Sequence, residues 1–113
     1  MNVTINQRGR IAVVAYEGSL TIGFTADLFE EGTIKALSSD SRGIVLDLRK
    51  LTYLDSAGVG VIVGCAKRAV ELGKVVKIVL QPISATSRIF KVTQLERAFE
   101  IFDDLDRAVA SFA

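Results

Sequence analysis

Histidine and tryptophan are absent from all 113 residues, and cysteine and proline occur once each. Each scarcity closes a class of chemistry. Without histidine, Ser-His-Asp and Cys-His nucleophile arrangements are impossible within the chain, and the commonest general base near neutral pH is missing. Cys65 alone forms no internal disulfide and, with no histidine beside it, no Cys/His zinc site, so neither metal nor cofactor is expected. One proline in a chain that is 50% hydrophobic argues against disorder. An excess of either charge is lacking too. Fourteen Lys and Arg against 13 Asp and Glu leave +1, which gives no general reason to expect nucleic acid or an anionic membrane. No apolar run approaches the ~20 residues of a membrane span, and residues 1–8 lack a charged-then-apolar signal pattern. A cytoplasmic chain without membrane insertion is expected, folded as one domain over 1–113.

What is present alternates between strand and helix signals. Val3 and Ile5 alternate with Asn2, Thr4 and Asn6, the period of a half-buried strand. A polar turn at 7–10 leads to a more buried strand over 11–17, so a hairpin is predicted. Gly18 breaks that run, and a helix follows over about 25–37, with Leu28, Phe29, Ala36 and Leu37 inward. After a loop at 38–43 comes an apolar strand over 44–48. A basic corner at Arg49-Lys50 and a second apolar patch over 51–54 follow it. The next helix, about 55–72, places Val59, Ile62, Val63, Ala66, Ala69 and Val70 on one side. Gly60, Gly64, Lys67, Arg68 and Glu71 collect on the other, with Val61 and Cys65 at its margin. Gly73 fits a helix C′ position. A strand over 75–80 ends at Gln81-Pro82. Ser84 caps a short helix to about 92, anchored by Ile89 and Phe90. A last strand over 99–102 and a helix opened by Asp103-Asp104, with Leu105, Ala108, Val109 and Phe112 in one stripe, complete the chain. The order implies an α/β fold: a mixed sheet with a hairpin edge, otherwise mostly parallel, packed with about four helices.

The chemistry concentrates at residues 44–64, where a buried strand runs toward a helix mouth at Asp55-Ser56. Read plainly, Asp55 is an N-cap and Ser56 a small polar residue in the first helical turn. The glycines Gly58, Gly60 and Gly64 are costly in a helix, at ~0.8–1 kcal/mol each against alanine. Their spacing is one residue too long for a dinucleotide fingerprint, and no Gly-Lys-Ser/Thr follows for a phosphate loop. Gly60 and Gly64, one turn apart, leave a bare face that a partner backbone could approach.

Val45-Leu46-Asp47-Leu48, then Leu54-Asp55-Ser56-Ala57-Gly58-Val59-Gly60, then an apolar helix closed by Gly73, resembles the STAS domain of anti-sigma factor antagonists. Residues 90–102, with Ala108 in the last helix, are similar to the C-terminal half of that family, so the likeness runs from about residue 18 to the end. The resemblance implies a small switch protein. Unphosphorylated, it binds an anti-sigma factor, often a serine kinase, and frees a sigma factor. Phosphorylation of the motif serine, which is Ser56 here, turns it off, and a phosphoserine phosphatase restores it. The partner-binding positions implied are Asp55, Ser56, Ala57, Gly58, Gly60, Val61, Gly64, Lys67 and Arg68, with Thr21. Three departures stand out. Thr21 follows Gly18-Ser19-Leu20 where many phospho-switched members carry an acid, Gln94 stands where a glycine is frequent, and Ala57 replaces a common second serine. Alone, the protein is expected to be a monomer or weak dimer.

Two other readings compete. One is a STAS scaffold or accessory subunit, in a sensory complex or lipid-transport system, without phospho-switching. The other is an enzyme using Ser56 with Asp47, Asp55 or Lys50. The sequence offers that enzyme no adequate base and no oxyanion partner, so a non-enzyme is expected, with no catalytic residues.

Overall fold

A computed structural model describes residues 1–112, so Ala113 of the expected domain lies outside the described residues. The elements in chain order are β1 (Asn2–Arg8), β2 (Ile11–Leu20), α1 (Phe24–Leu37), β3 (Gly43–Leu54), α2 (Ser56–Glu71), β4 (Val75–Val79), α3 (Ala85–Val92), β5 (Glu100–Phe102) and α4 (Leu105–Ala110). A short 3₁₀ turn, Leu95–Arg97, lies between α3 and β5. The five strands form one sheet in sequence order, with β1–β2 antiparallel and every later pair parallel. The mixed sheet with a hairpin edge is therefore as the sequence predicts.

Alternation along the strands feeds two cores. On one face Ala12, Val14, Tyr16, Ile44, Leu46 and Ile78 meet Phe29 and Leu37 of α1, Ile62 and Ala69 of α2 and Phe90 of α3. On the other face Ile11, Val13, Val45 and Val79 are covered by Ala108, Leu105 and Val109 of α4 and by Phe112 in the turn after it. A Cβ at Gly43 would lie 2.3 Å from the Phe112 ring, so the absent side chain is what lets that ring lie on the sheet. Buried Lys77 fastens the same helix end, donating to Ser111 Oγ at 2.7 Å and its carbonyl at 3.1 Å while pairing with Glu100 at 3.0 Å.

The central strands differ from the sequence reading. Gly18 does not end β2, and Arg49-Lys50 is no corner. Both strands continue, to Leu20 and Leu54, with two register shifts: Ala15↔Asp47 is followed by Glu17↔Lys50, and Gly18↔Leu51 by Ser19↔Tyr53. Each shift inserts one extra residue on β3, a bulge that resets the facing of its side chains. Leu48, Leu51 and Leu54 thus all reach the same core despite their spacing of three. Beyond the end of β4, α3 lies beside the lengthened β3. Gln81 Nε2 donates to the Arg49 carbonyl at 3.0 Å and the Thr86 hydroxyl to that of Leu51 at 3.4 Å, replacing part of the missing ladder.

Smaller differences follow from packing. Ile5 is exposed rather than half-buried because α1 covers β1 only as far as Val3, which packs where a Gly32 Cβ would be. Val70 is exposed, and Cys65 takes the inward position between Ile62 and Ala69. β4 and β5 are each one residue shorter than predicted, and Ser84 caps α3 in a reciprocal box with Ser87.

Candidate functional site

The site is assembled where β2 and β3 end together. Leu20 pairs with Leu54, and the Asp55 amide donates to the Leu20 carbonyl at 3.2 Å. The chain then turns into α2 with Asp55 as N-cap, its backbone extended and its Oδ1 accepting the Gly58 amide at 2.8 Å. The other carboxylate oxygen accepts the Ile22 amide at 2.9 Å, so one side chain ties the β2–α1 loop to the mouth of α2. These backbone donors hold the Asp55 carboxyl below its usual range, favouring the ionised form.

Gly58 explains how close the mouth lies to the sheet. A Cβ there would stand 2.5 Å from Leu54 Cδ1 and 2.7 Å from the Leu20 carbonyl oxygen. The residue is buried, so the structure places it in the packing under the mouth and not on the open face with the other predicted contact positions. Ser56, the first helical residue, is exposed directly beside the fixed cap. The loop before α1 is equally ordered. The Thr25 hydroxyl accepts the Thr21 amide at 2.9 Å and donates to the Thr21 carbonyl at 3.0 Å, and Gly23 takes φ 97° to admit the helix.

Two residues passed over in the sequence stand out here. Ile22 is 79% exposed and Phe24 74%, large apolar side chains on the loop that Asp55 anchors and at the first position of α1 behind it. Their signal was legible: two bulky hydrophobes flank a glycine between a strand and a helix, where turn residues are ordinarily polar.

Along α2, Ala57, Gly60, Val61, Gly64, Lys67 and Arg68 line a groove of about 510 Å³ closed on the far side by Glu30 and Ile34 of α1. No atom lies within 4 Å of a Cβ built on Gly60 or Gly64, so their bareness serves no packing inside the chain. Buried Cys65 forms part of the floor, its thiol pushed up to about 11 by desolvation and therefore protonated. Beneath it Tyr16 stacks on Phe29 with centroids 4.0 Å apart and hydrogen-bonds Thr33, with burial raising its phenol far above the ordinary range.

The enzyme constellation does not assemble. Asp47 is not at the strand end, because β3 continues seven residues past it, about 23 Å of extended chain. Its carboxylate is engaged by Arg49 Nε at 2.9 Å and Nη2 at 2.8 Å. Lys50 likewise lies within β3 and not at the mouth. No cluster of His, Cys, Asp or Glu among the described residues could hold a metal ion.

A five-stranded mixed sheet with a capped helix mouth carrying an exposed serine defines a recognisable class. The family model for the STAS domain matches residues 2–108, and the chain belongs to that family. Solved structures share the fold at low identity. An anti-sigma factor antagonist from Mycobacterium paratuberculosis has a TM-score of 0.86 at 21% identity, over 97% of this chain and 92% of that one. The Bacillus cell fate determinant SpoIIAA in its phosphorylated form has a TM-score of 0.73 at 15% identity, over 99% and 100%. A sulfate transporter family protein from Wolinella succinogenes has a TM-score of 0.76 at 15% identity, over 90% and 84%.

Proposed function

We propose that the protein is an anti-sigma factor antagonist whose docking surface is the α2 mouth and groove, switched by phosphorylation of Ser56. The observation that carries this reading is the pairing of an exposed hydroxyl at the first position of α2 with a cap that is held independently of it. Asp55 fixes the helix start through main-chain bonds, so modification of its neighbour leaves the frame intact. A phosphoserine adds about −1.5 to −2 charges at pH 7. The positive end of a 16-residue helix tolerates that charge. A partner seated over the mouth meets added bulk and a phosphate alongside ionised Asp55. The domain changes little and the interface changes greatly. A relative of the same fold is known in unphosphorylated and phosphorylated forms, which supports the idea that the architecture accommodates phosphate.

The unphosphorylated form is the one that binds a serine-kinase anti-sigma factor, and a phosphoserine phosphatase returns the protein to it. Thr21 in place of an acid, beside Ile22 and Phe24, shifts recognition on that loop from charge toward apolar contact. Incubation with serine-kinase anti-sigma factors and ATP, followed by phosphate mapping by mass spectrometry, tests the reading. Phosphate on Ser56 and release of the complex are expected. A stable complex in which Ser56 stays unmodified would sink the switch. Thr21 and the likeness to a transport-family structure favour the accessory-subunit reading as the second one, and native mass spectrometry from cell extract would reveal it as a stoichiometric assembly lacking any anti-sigma factor.

A further inference from the structure

The outer edge of the sheet is β1, and it lacks the usual protections of an edge strand. Edges present unpaired N–H and C=O groups that template another strand, and native proteins blunt them with lysine, proline, bulges or shortness. β1 is seven residues long, its register with β2 is unbroken, and residues 2–7 include no charged residue and no proline.

The hairpin geometry identifies which groups are free. Gly9 and Arg10 form a two-residue loop with positive φ only at Gly9, 63°, the pattern of a type II′ turn. Such a loop makes Arg8 and Ile11 a hydrogen-bonded pair, and alternation along the ladder commits the main chains of Asn6, Thr4 and Asn2 to β2. The main-chain groups of Val3, Ile5 and Gln7 therefore point away from the sheet. On the helix side Val3 packs against Gly32 and Gln7 bonds Ser41, while Ile5 is 37% exposed.

We propose that β1 pairs antiparallel with β1 of a second copy of this chain, joining two five-stranded sheets into one. The edge is self-complementary. A twofold axis at Ile5 sets Ile5 of one copy opposite Ile5 of the other and Val3 opposite Gln7, giving about six main-chain hydrogen bonds. Two isoleucines meet directly across the axis on the helix side. Like charges do not meet, because Arg8 falls opposite Asn2. So narrow a contact lies below the ~1,000 Å² of a firm interface, so the dimer is weak and concentration-dependent. It uses the sheet edge and not the α2 mouth, and so does not depend on the role of Ser56.

Sedimentation velocity from about 10 μM to about 1 mM spans the range in which such a dimer dissociates. The wild-type mass is expected to rise from 12.2 kDa toward twice that value. Ile5→Lys, which opposes two ammonium groups, is expected to hold the mass at the monomer value with an unchanged melting temperature. Ile5→Cys is expected to cross-link under mild oxidation, because opposed residues stand about 5.5 Å apart at Cα. Thr4→Cys, displaced from its own copy by two register positions and beyond about 7 Å, is not. A wild type that stays monomeric at 1 mM overturns the proposal. So does a dimer that survives in Ile5→Lys, or cross-linking of Thr4→Cys as fast as Ile5→Cys. Should Ile5→Lys fail to fold, the cysteine pair decides.

Discussion

The Asp55 carboxylate accepts the amide of Ile22 at 2.9 Å, joining two segments 33 residues apart in the chain. Its second oxygen holds Gly58, so the loop that carries Ile22 and leads into α1 at Phe24 shares one anchor with the helix that carries Ser56.

Replacing Asp55 by alanine is expected to lower the melting temperature and to speed amide exchange at Ile22 and Gly58 ahead of the rest of the chain. The pH dependence has a defined sign. The folded-state pKa of Asp55 is lowered, so its contribution is complete above the unfolded value of about 3.9 and is lost as pH falls through the folded value. Urea melts of wild type and Asp55→Ala should differ at pH 7 and converge on acidification below pH 4. A difference that persists unchanged in acid would refute the carboxylate's role.

Gly58 and Gly60 are two residues apart and should respond oppositely to alanine. Gly58→Ala drives a methyl into Leu54 and the Leu20 carbonyl, and is expected to destabilise by about 1–3 kcal/mol. Gly60→Ala meets open space and gains helix propensity, stabilising by about 0.8–1 kcal/mol. Chemical denaturation checks both. If the bare face is a docking surface, Gly60→Leu folds at least as well as wild type yet loses partner affinity.

Gln94 precedes the 3₁₀ turn at φ 62°, the sole described non-glycine residue with positive φ. A side chain in the left-handed region costs about 1–2 kcal/mol, partly offset by the greater unfolded-state freedom of glycine. Gln94→Gly is therefore expected to stabilise by about 0.5–1 kcal/mol, measured as a raised urea midpoint at unchanged slope.

Ile22→Ser and Phe24→Ser remove apolar surface that contributes nothing to the core. Stability should stay within about 0.5 kcal/mol of wild type. Affinity for the anti-sigma partner should fall at least about tenfold per substitution if these side chains fill partner pockets, as exposed aromatic and aliphatic anchors do. Calorimetric titration reads this directly, and unchanged affinity in both variants would remove the loop from the interface.

Local chemistry settled much of this protein in advance. Alternation at 2–6, the apolar runs at 11–17 and 44–48, helical spacing along α2 and α4, the caps Asp55 and Ser84 and the stop at Pro82 each act over a few residues, so the sequence alone determines the strand–helix order and puts Ser56 at a helix mouth. The facing of β3 beyond Leu48 was not legible there. A bulge depends on how β2 pairs with β3, which no local period encodes, and so Arg49-Lys50 read as a corner and Asp47 as a strand end. The glycines show the same division. Helical spacing already set Gly60 and Gly64 on a bare face, but only the packing of Leu20 and Leu54 shows that Gly58, counted with them as a contact position, is buried. Tertiary structure likewise carried Ile22 and Phe24 to the side of Asp55, because a hydrogen bond spanning 33 residues exists only once the sheet has brought its ends together.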